Sequence, residues 1–183
     1  NHNRKLSDYT LNLWGRILES NNEPRLVLKA ARYDDTNTME LLRRRMIRNG
    51  LDYSKVIWLP RTETPEEHLM QYAHIDVALD TYPNGGCTTT CEALWMGVPV
   101  ITLTGDSYVS RMSTAVLHGA GLSEWCTSSP NEYIQLAIKC VDNLPWLRNN
   151  REFWRQKLTN SSAGNANGLM LALENSFNEL FFA

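Results

Sequence analysis

The stretch from Asp76 to Thr102, DVALDTYPNGGCTTTCEALWMGVPVIT, constrains this 183-residue chain more than any other. The apolar run Val77, Ala78, Leu79 ends at Asp80 and gives way to a turn-rich loop of Pro83, Asn84, Gly85 and Gly86. Thr88, Thr89 and Thr90 then open a helical pattern that Gly97 stops, and a second apolar run, Val98 to Thr102, follows. In a strand, loop, helix, strand unit of this kind the glycines carry no Cβ, so backbone amides can approach an anion at the helix N-terminus. Three hydroxyls beside those amides suit a diphosphate. Glu92 lies one helical turn beyond Thr88 and could accept two hydrogen bonds from a ribose diol. The same residues equally fit a plain turn in which one threonine caps the helix.

Taken in order, the rest of the chain alternates helices and strands. Ser7 is placed to cap a helix whose Leu11, Trp14, Ile17 and Leu18 share a stripe. Arg25 to Ala30 (RLVLKA) reads as a buried strand, Asn37 as the cap of a helix stopped by Gly50, and Lys55 to Leu59 as a second strand. Thr64, Pro65 and Glu67 make a capping box that puts His68 just past a first helical turn. Strands at Asp76 to Asp80 and Val98 to Thr102 flank a helix over Thr88 to Met96. Arg111 to Ala120 is helical, Glu124 to Thr127 a short edge strand, and Ser129 to Glu132 repeats the capping box ahead of a helix to about Asp142. Two more helices, Trp146 to Leu158 and about Gly168 to Phe182, are joined by the polar linker Thr159 to Asn167. This alternation predicts an α/β fold, a Rossmann-like parallel sheet with helices on both faces and ligands beyond the carboxyl ends of the strands. The chain opens with a helix, as if the first strand of the unit had been left behind.

The length supports one domain over residues 1–183, with the helices from about 146 to 182 packing on it. A net charge of −2 offers no basic face for nucleic acid, and Arg43, Arg44 and Arg45 read as a solvated helix face. Cys87, Cys91, Cys126 and Cys140 match neither a disulfide framework nor a zinc site, and no run is long enough to span a bilayer, so a reduced, metal-free cytoplasmic chain is expected. The GxGxxG and GxxxxGK[ST] fingerprints are absent. His68, on an amphipathic helix, fits either a boundary residue or a group that stacks on a base, and Lys5 is by default a solvated lysine.

From His74 onward, HIDVALDTYPNGGCTTTCEALWMGVPVITLTGDSYVSR resembles the C-terminal, sugar-nucleotide-binding half of the catalytic region of the O-linked N-acetylglucosamine transferase family. Asn1 to Lys5 is similar to that family's FN-x-x-x-K segment entered after its phenylalanine, and Pro65 to His68 resembles the head of its histidine-bearing helix. The resemblance implies the C-terminal domain of a GT-B glycosyltransferase, with a second Rossmann-like domain and TPR repeats upstream. By position it implies that Lys5 reaches the diphosphate and stabilises the leaving group, with His2 near the same group. His68 would contact uridine, with the backbone near Glu63 and the side chain of Gln71 facing uracil. Thr88 and Thr89 would hold phosphate oxygens with Thr90 beside them, and Glu92 the ribose. Cys87 stands where the family has threonine or histidine, Pro65 where the animal enzymes have a ribose-contacting lysine, and Gln71 where they have an arginine.

No Asp-x-Asp motif is present to hold a cation on the diphosphate, so the implied chemistry is metal- and cofactor-free transfer of N-acetylglucosamine from UDP-GlcNAc to Ser or Thr hydroxyls. The expected partners are the UDP-sugar donor, a protein acceptor and an N-terminal catalytic half, with neither nucleic acid nor membrane. The alternatives are a catalytically inactive nucleotide-binding or protein-interaction module of the same fold, or another GT-B activity such as a sugar-nucleotide epimerase.

Overall fold

The computed structural model describes residues 3–20, 23–29 and 35–182. After a short 3-10 turn, Asn3–Lys5, helix α1 (Asp8–Leu18) starts where the Ser7 hydroxyl accepts the Thr10 N–H, and it buries Leu11, Leu13, Trp14, Ile17 and Leu18. Strands β1 (Leu26–Lys29) and β2 (Val56–Leu59) pair in parallel from Leu26 opposite Val56 to Lys29 opposite Leu59. They are joined through α2 (Thr36–Arg48). The cap of α2 is Asp35 rather than Asn37. Its carboxylate accepts the Thr38 N–H at 2.7 Å and adds negative charge at the helix N-terminus, while Asn37 lies inside the first turn.

The arginine run on α2 is not simply solvated. Arg45 donates to Asp8 and to the Leu6 carbonyl, Arg43 lies over the Tyr53 ring at 5.7 Å, and Arg44 pairs with Glu40.

Helix α3 (Pro65–Met70) carries the capping box as expected and leads through a 3-10 turn, Gln71–His74, to the second group of strands. These are β3 (Ala78–Leu79), β4 (Val100–Leu103) and β5 (Cys126–Thr127), parallel in the order β3-β4-β5. They alternate with α4 (Thr88–Trp95) and α5 (Met112–Gly119). β4 starts two residues later than the apolar pattern suggests because the end of α4 claims the intervening backbone. Gly97 sits at φ 75°, its N–H donates to the Leu94 carbonyl, and the Val98 N–H reaches back to Ala93 at 2.8 Å. β5 is shorter than expected because Ser123–Trp125 winds into a 3-10 turn.

Helix α6 (Pro130–Asp142) packs on α1 and β4. Its Glu132 accepts from the N–H and hydroxyl of Ser128, one residue outside the Ser129 cap, so the second capping box is displaced by a residue. The single helix expected over Trp146 to Leu158 is two, α7 (Leu144–Asn149) and α8 (Arg151–Thr159), divided at Asn150, whose amide and side chain both bond the Trp146 carbonyl. α8 packs on α4 and buries Trp154 edge-on against Trp125, with ring centroids 4.8 Å apart. Helix α9 (Ala166–Phe182) was expected to pack on the domain as well, yet Leu169, Leu173, Phe177 and Leu180 on it are exposed.

The core runs from α1 through β4 to α8. Ile101, Leu94, Leu117 and Tyr133 are sealed, and Tyr133 ties α1 to β3 by accepting from Trp14 Nε1 at 3.0 Å and donating to the Asp80 carbonyl at 2.8 Å. Every described strand is parallel to its neighbour, but the ladders fall into two groups, with a groove between β1 and β3.

Candidate functional site

The loop after β3 is organised by Asp80, which is buried. One carboxylate oxygen accepts the N–H groups of Thr81 and Gly86 at 3.0 and 2.8 Å, and the other accepts the Thr102 hydroxyl at 2.9 Å. Gly85 donates its N–H to the Val109 carbonyl at 3.0 Å. Both glycine amides are therefore turned into the protein, which corrects the expectation that they approach a ligand. The glycines are needed for a different reason. A Cβ on Gly86 would lie 2.5 Å from Thr89 Oγ1 and 2.7 Å from Thr90 Oγ1, and one on Gly85 would lie 2.9 Å from an Asp80 carboxylate oxygen.

What faces outward is the head of α4. Cys87 occupies the N-cap position without a side-chain capping bond, so none of the threonines is the cap. Thr88 is exposed and Thr89 half-buried, at the end of the helix where backbone N–H groups lack intrahelical acceptors. Thr90 does not join them: it is buried and shares a 2.9 Å hydrogen bond with Ser113, which donates in turn to the Gly86 carbonyl. Thr90 thus fastens the loop to α5. Lys5 arrives from the other side, its ammonium donating to the Gly85 carbonyl at 2.7 Å. Ser7 and Thr10 hold that approach by donating to the Tyr82 carbonyl at 2.5 and 2.9 Å.

A second group adjoins the first. His68, on α3, lies 3.4 Å from Glu92 through Nε2 and 2.8 Å from the Lys29 ammonium through Nδ1. Lys29 also donates to Thr62 at 2.7 Å, and the Tyr72 hydroxyl donates to Glu92 at 3.3 Å. Burial lowers the Lys29 pKa, while Glu67 and Glu92 oppose the shift. Burial pushes the Tyr72 phenol up, and the Glu92 charge adds to it, so it remains a donor. Gln71 is half-buried and lines the same groove as His68. Glu63 is exposed, with its N–H committed to the capping carboxylate of Glu67 at 3.0 Å. His2 lies outside the described residues.

Of the residues singled out from sequence, Lys5, Thr88, Thr89, Glu92 and His68 are brought to the carboxyl ends of the strands. Sequence reasoning missed Lys29, Thr62, Tyr72 and Asp80. The available signal for Lys29 was its place, a lone cation closing an apolar strand at the ligand-bearing end.

Beyond its strand ends this parallel α/β domain gathers a helix N-terminus, a lysine and a carboxylate–imidazole pair, at the place where doubly wound folds take their ligands. Residues 1–167 match glycosyl transferase family 41, and the chain belongs to that family. It is 28% identical over 99% of its length to an Arabidopsis thaliana protein described as the probable UDP-N-acetylglucosamine–peptide N-acetylglucosaminyltransferase SPINDLY. It is 31% identical over 80% of its length to the Caenorhabditis elegans UDP-N-acetylglucosamine–peptide N-acetylglucosaminyltransferase. A mutant form of the Thermobaculum terrenum O-GlcNAc transferase superimposes with a TM-score of 0.83 at 33% identity over 96% of this chain. The chain spans 20% of the Arabidopsis protein, 12% of the Caenorhabditis protein and 34% of the Thermobaculum chain.

Proposed function

We propose that this chain is the donor-binding half of a glycosyltransferase that moves N-acetylglucosamine from UDP-GlcNAc to Ser or Thr hydroxyls of proteins. The observation that carries the reading is the contact of the Lys5 ammonium with the carboxyl-end loop whose helix begins with the exposed Thr88 and the half-buried Thr89, with Glu92 one turn further along against His68. The names of the Arabidopsis and Caenorhabditis relatives support the donor and the peptide acceptor.

In this reading the diphosphate rests on Thr88, Thr89 and the N-terminus of α4, and Lys5 exchanges the Gly85 carbonyl for a phosphate oxygen. Glu92 takes the ribose diol, and uracil lies toward His68, Gln71 and the backbone at Glu63. His2 would approach the diphosphate beside Lys5, and Cys87 faces the sugar. When an acceptor hydroxyl attacks the anomeric carbon, the bond to the diphosphate breaks and its electron pair leaves with UDP. The lysine and the helix N-terminus stabilise that charge without a metal. The acceptor site and the base that takes the hydroxyl proton belong to an N-terminal half, with TPR repeats upstream, in a cytoplasmic enzyme. No helix among the described residues is long and apolar enough to cross a membrane.

Calorimetric titration with UDP tests the reading. Binding is expected, and Lys5→Ala and Thr89→Val should each weaken it by about tenfold or more, as befits loss of a hydrogen bond to a charged group. The same chain alone should transfer no sugar. Absence of binding by any uridine nucleotide would favour the inactive interaction module, and transfer by the isolated chain would refute the division of labour.

A further inference from the structure

Lys29 closes β1 at the carboxyl end of the β1–β2 ladder, half-buried, and its ammonium bonds outward from that ladder toward the helices that carry the site. It donates to Thr62 Oγ1, in the loop after β2, at 2.7 Å and meets Nδ1 of His68, on α3, at 2.8 Å. From His68 the row continues through Nε2 to Glu92 Oε2, on α4, at 3.4 Å. The Tyr72 hydroxyl reaches the same Oε2 at 3.3 Å, and the His68 and Tyr72 rings stand edge to face with centroids 6.0 Å apart. Both donors therefore fall on one oxygen. Among the described residues, Oε1 of Glu92 meets no donor.

A cation is an expensive choice at the end of β1. Burial lowers the Lys29 pKa, with the charges of Glu67 and Glu92 opposing the shift, and a neutral side chain would occupy the position without losing hydration. What the ammonium adds is a donor that cannot become an acceptor, and so a fixed polarity along the row. Nδ1 of His68 turns a lone pair to Lys29, the ring N–H lies on Nε2, and the Glu92 carboxylate is met by a donor. A hydroxyl or amide at position 29 could run the row in either direction. In the reverse direction an imidazole lone pair would face the carboxylate and repel it.

We propose that Lys29 is a positioning residue for nucleotide binding: acting through His68, it fixes the Glu92 carboxylate so that Oε1 keeps both lone pairs for the ribose diol. The proposal rests on the donor reading above, which puts that diol on Glu92. The imidazole ring stands between the ammonium and the carboxylate, so the influence of Lys29 on the diol passes through His68. Two lysines then divide the site. Lys5, bonded to Gly85 on the phosphate loop, serves the diphosphate, and Lys29 serves the ribose.

Calorimetric titration of the 183-residue chain with UDP and with its 2′,3′-dideoxy analogue tests this, because the analogue keeps the base and diphosphate but offers Glu92 no hydroxyl. Lys29→Met preserves the length of the side chain and removes the ammonium. It should weaken UDP about tenfold and leave the dideoxy analogue within about twofold of wild type. Lys29→Arg, still a donor that cannot accept, should bind UDP within about threefold of wild type. In a Glu92→Gln background, Lys29→Met should add no further loss, as expected of two residues that act as a unit. Equal losses for the two nucleotides would overturn the proposal, since Lys29 would then act through the fold or on another part of the ligand. An unchanged UDP affinity in Lys29→Met would overturn it as well. Failure of the wild-type chain to bind either nucleotide would instead remove the donor reading, and this proposal with it.

Discussion

Lys29 can only donate, so its 2.8 Å contact makes Nδ1 of His68 the acceptor and leaves the ring proton of the neutral imidazole on Nε2, facing Glu92. That tautomer directs a donor at Glu92 and leaves the carboxylate with further acceptor capacity, which the proposed reading assigns to the ribose diol. Cys87 lies beside the proposed phosphate seat at the head of α4. It is exposed at the head of α4, whereas burial pushes the Cys126 and Cys140 thiols up to about 11 and about 12 and raises Cys91 as well. Iodoacetamide should therefore modify Cys87 first, and saturating UDP should slow that modification several-fold, read by mass spectrometry. An unchanged rate in the presence of bound UDP would place the diphosphate elsewhere. Thr89 and Glu92 were singled out in the sequence by their offsets from the start of a helix, whereas Lys5 read as a solvated lysine and was singled out only through the family resemblance. Asp80 was not singled out, since its role rests on contacts with Gly86 and Thr102 that local spacing does not display.

Among the elements, α1 and α2 are joined by charge. Asp8 in the first turn of α1 accepts from Arg45 at 2.7 and 2.9 Å and from Arg48 at 3.0 Å. The Arg45 hydrogen bonds, ahead of its charge and that of Arg48, hold the Asp8 carboxyl below its ordinary value of 3.8. The folded chain thus binds this proton less readily than the unfolded one, so the stabilisation is complete above about pH 3.8 and is lost as pH falls through the lower folded value. Asp8→Asn should cost no more than about 1 kcal/mol at neutral pH, because the pair is largely exposed. In thermal denaturation the gap to wild type should close in strong acid, and a gap independent of pH would contradict the ion-pair account. Helix starts at Ser7, Thr64 and Ser129 were legible because capping acts over three residues. The start of β4 was not, because the bond from Val98 back to Ala93 extends the end of α4 into the apolar run.

At the scale of the whole molecule, alternating strands and helices were enough to predict a parallel α/β class, since that pattern is periodic along the chain. The division into two ladders was not legible, because pairing of Leu79 with Ile101 and of Lys29 with Leu59 depends on residues far apart in sequence. The site straddles that division, with Lys29 on one side, Glu92 on the other and His68 between them. The central claim is that a uridine diphosphate rests on the head of α4. It is tested most directly by ¹H–¹⁵N spectra recorded during UDP titration of the 183-residue chain. Amides from Gly86 to Thr89, together with those of His68 and Glu92, should shift, and Thr89→Val should suppress the shifts. Shifts confined to the surface of α7 and α8, or none at millimolar UDP, would contradict the account.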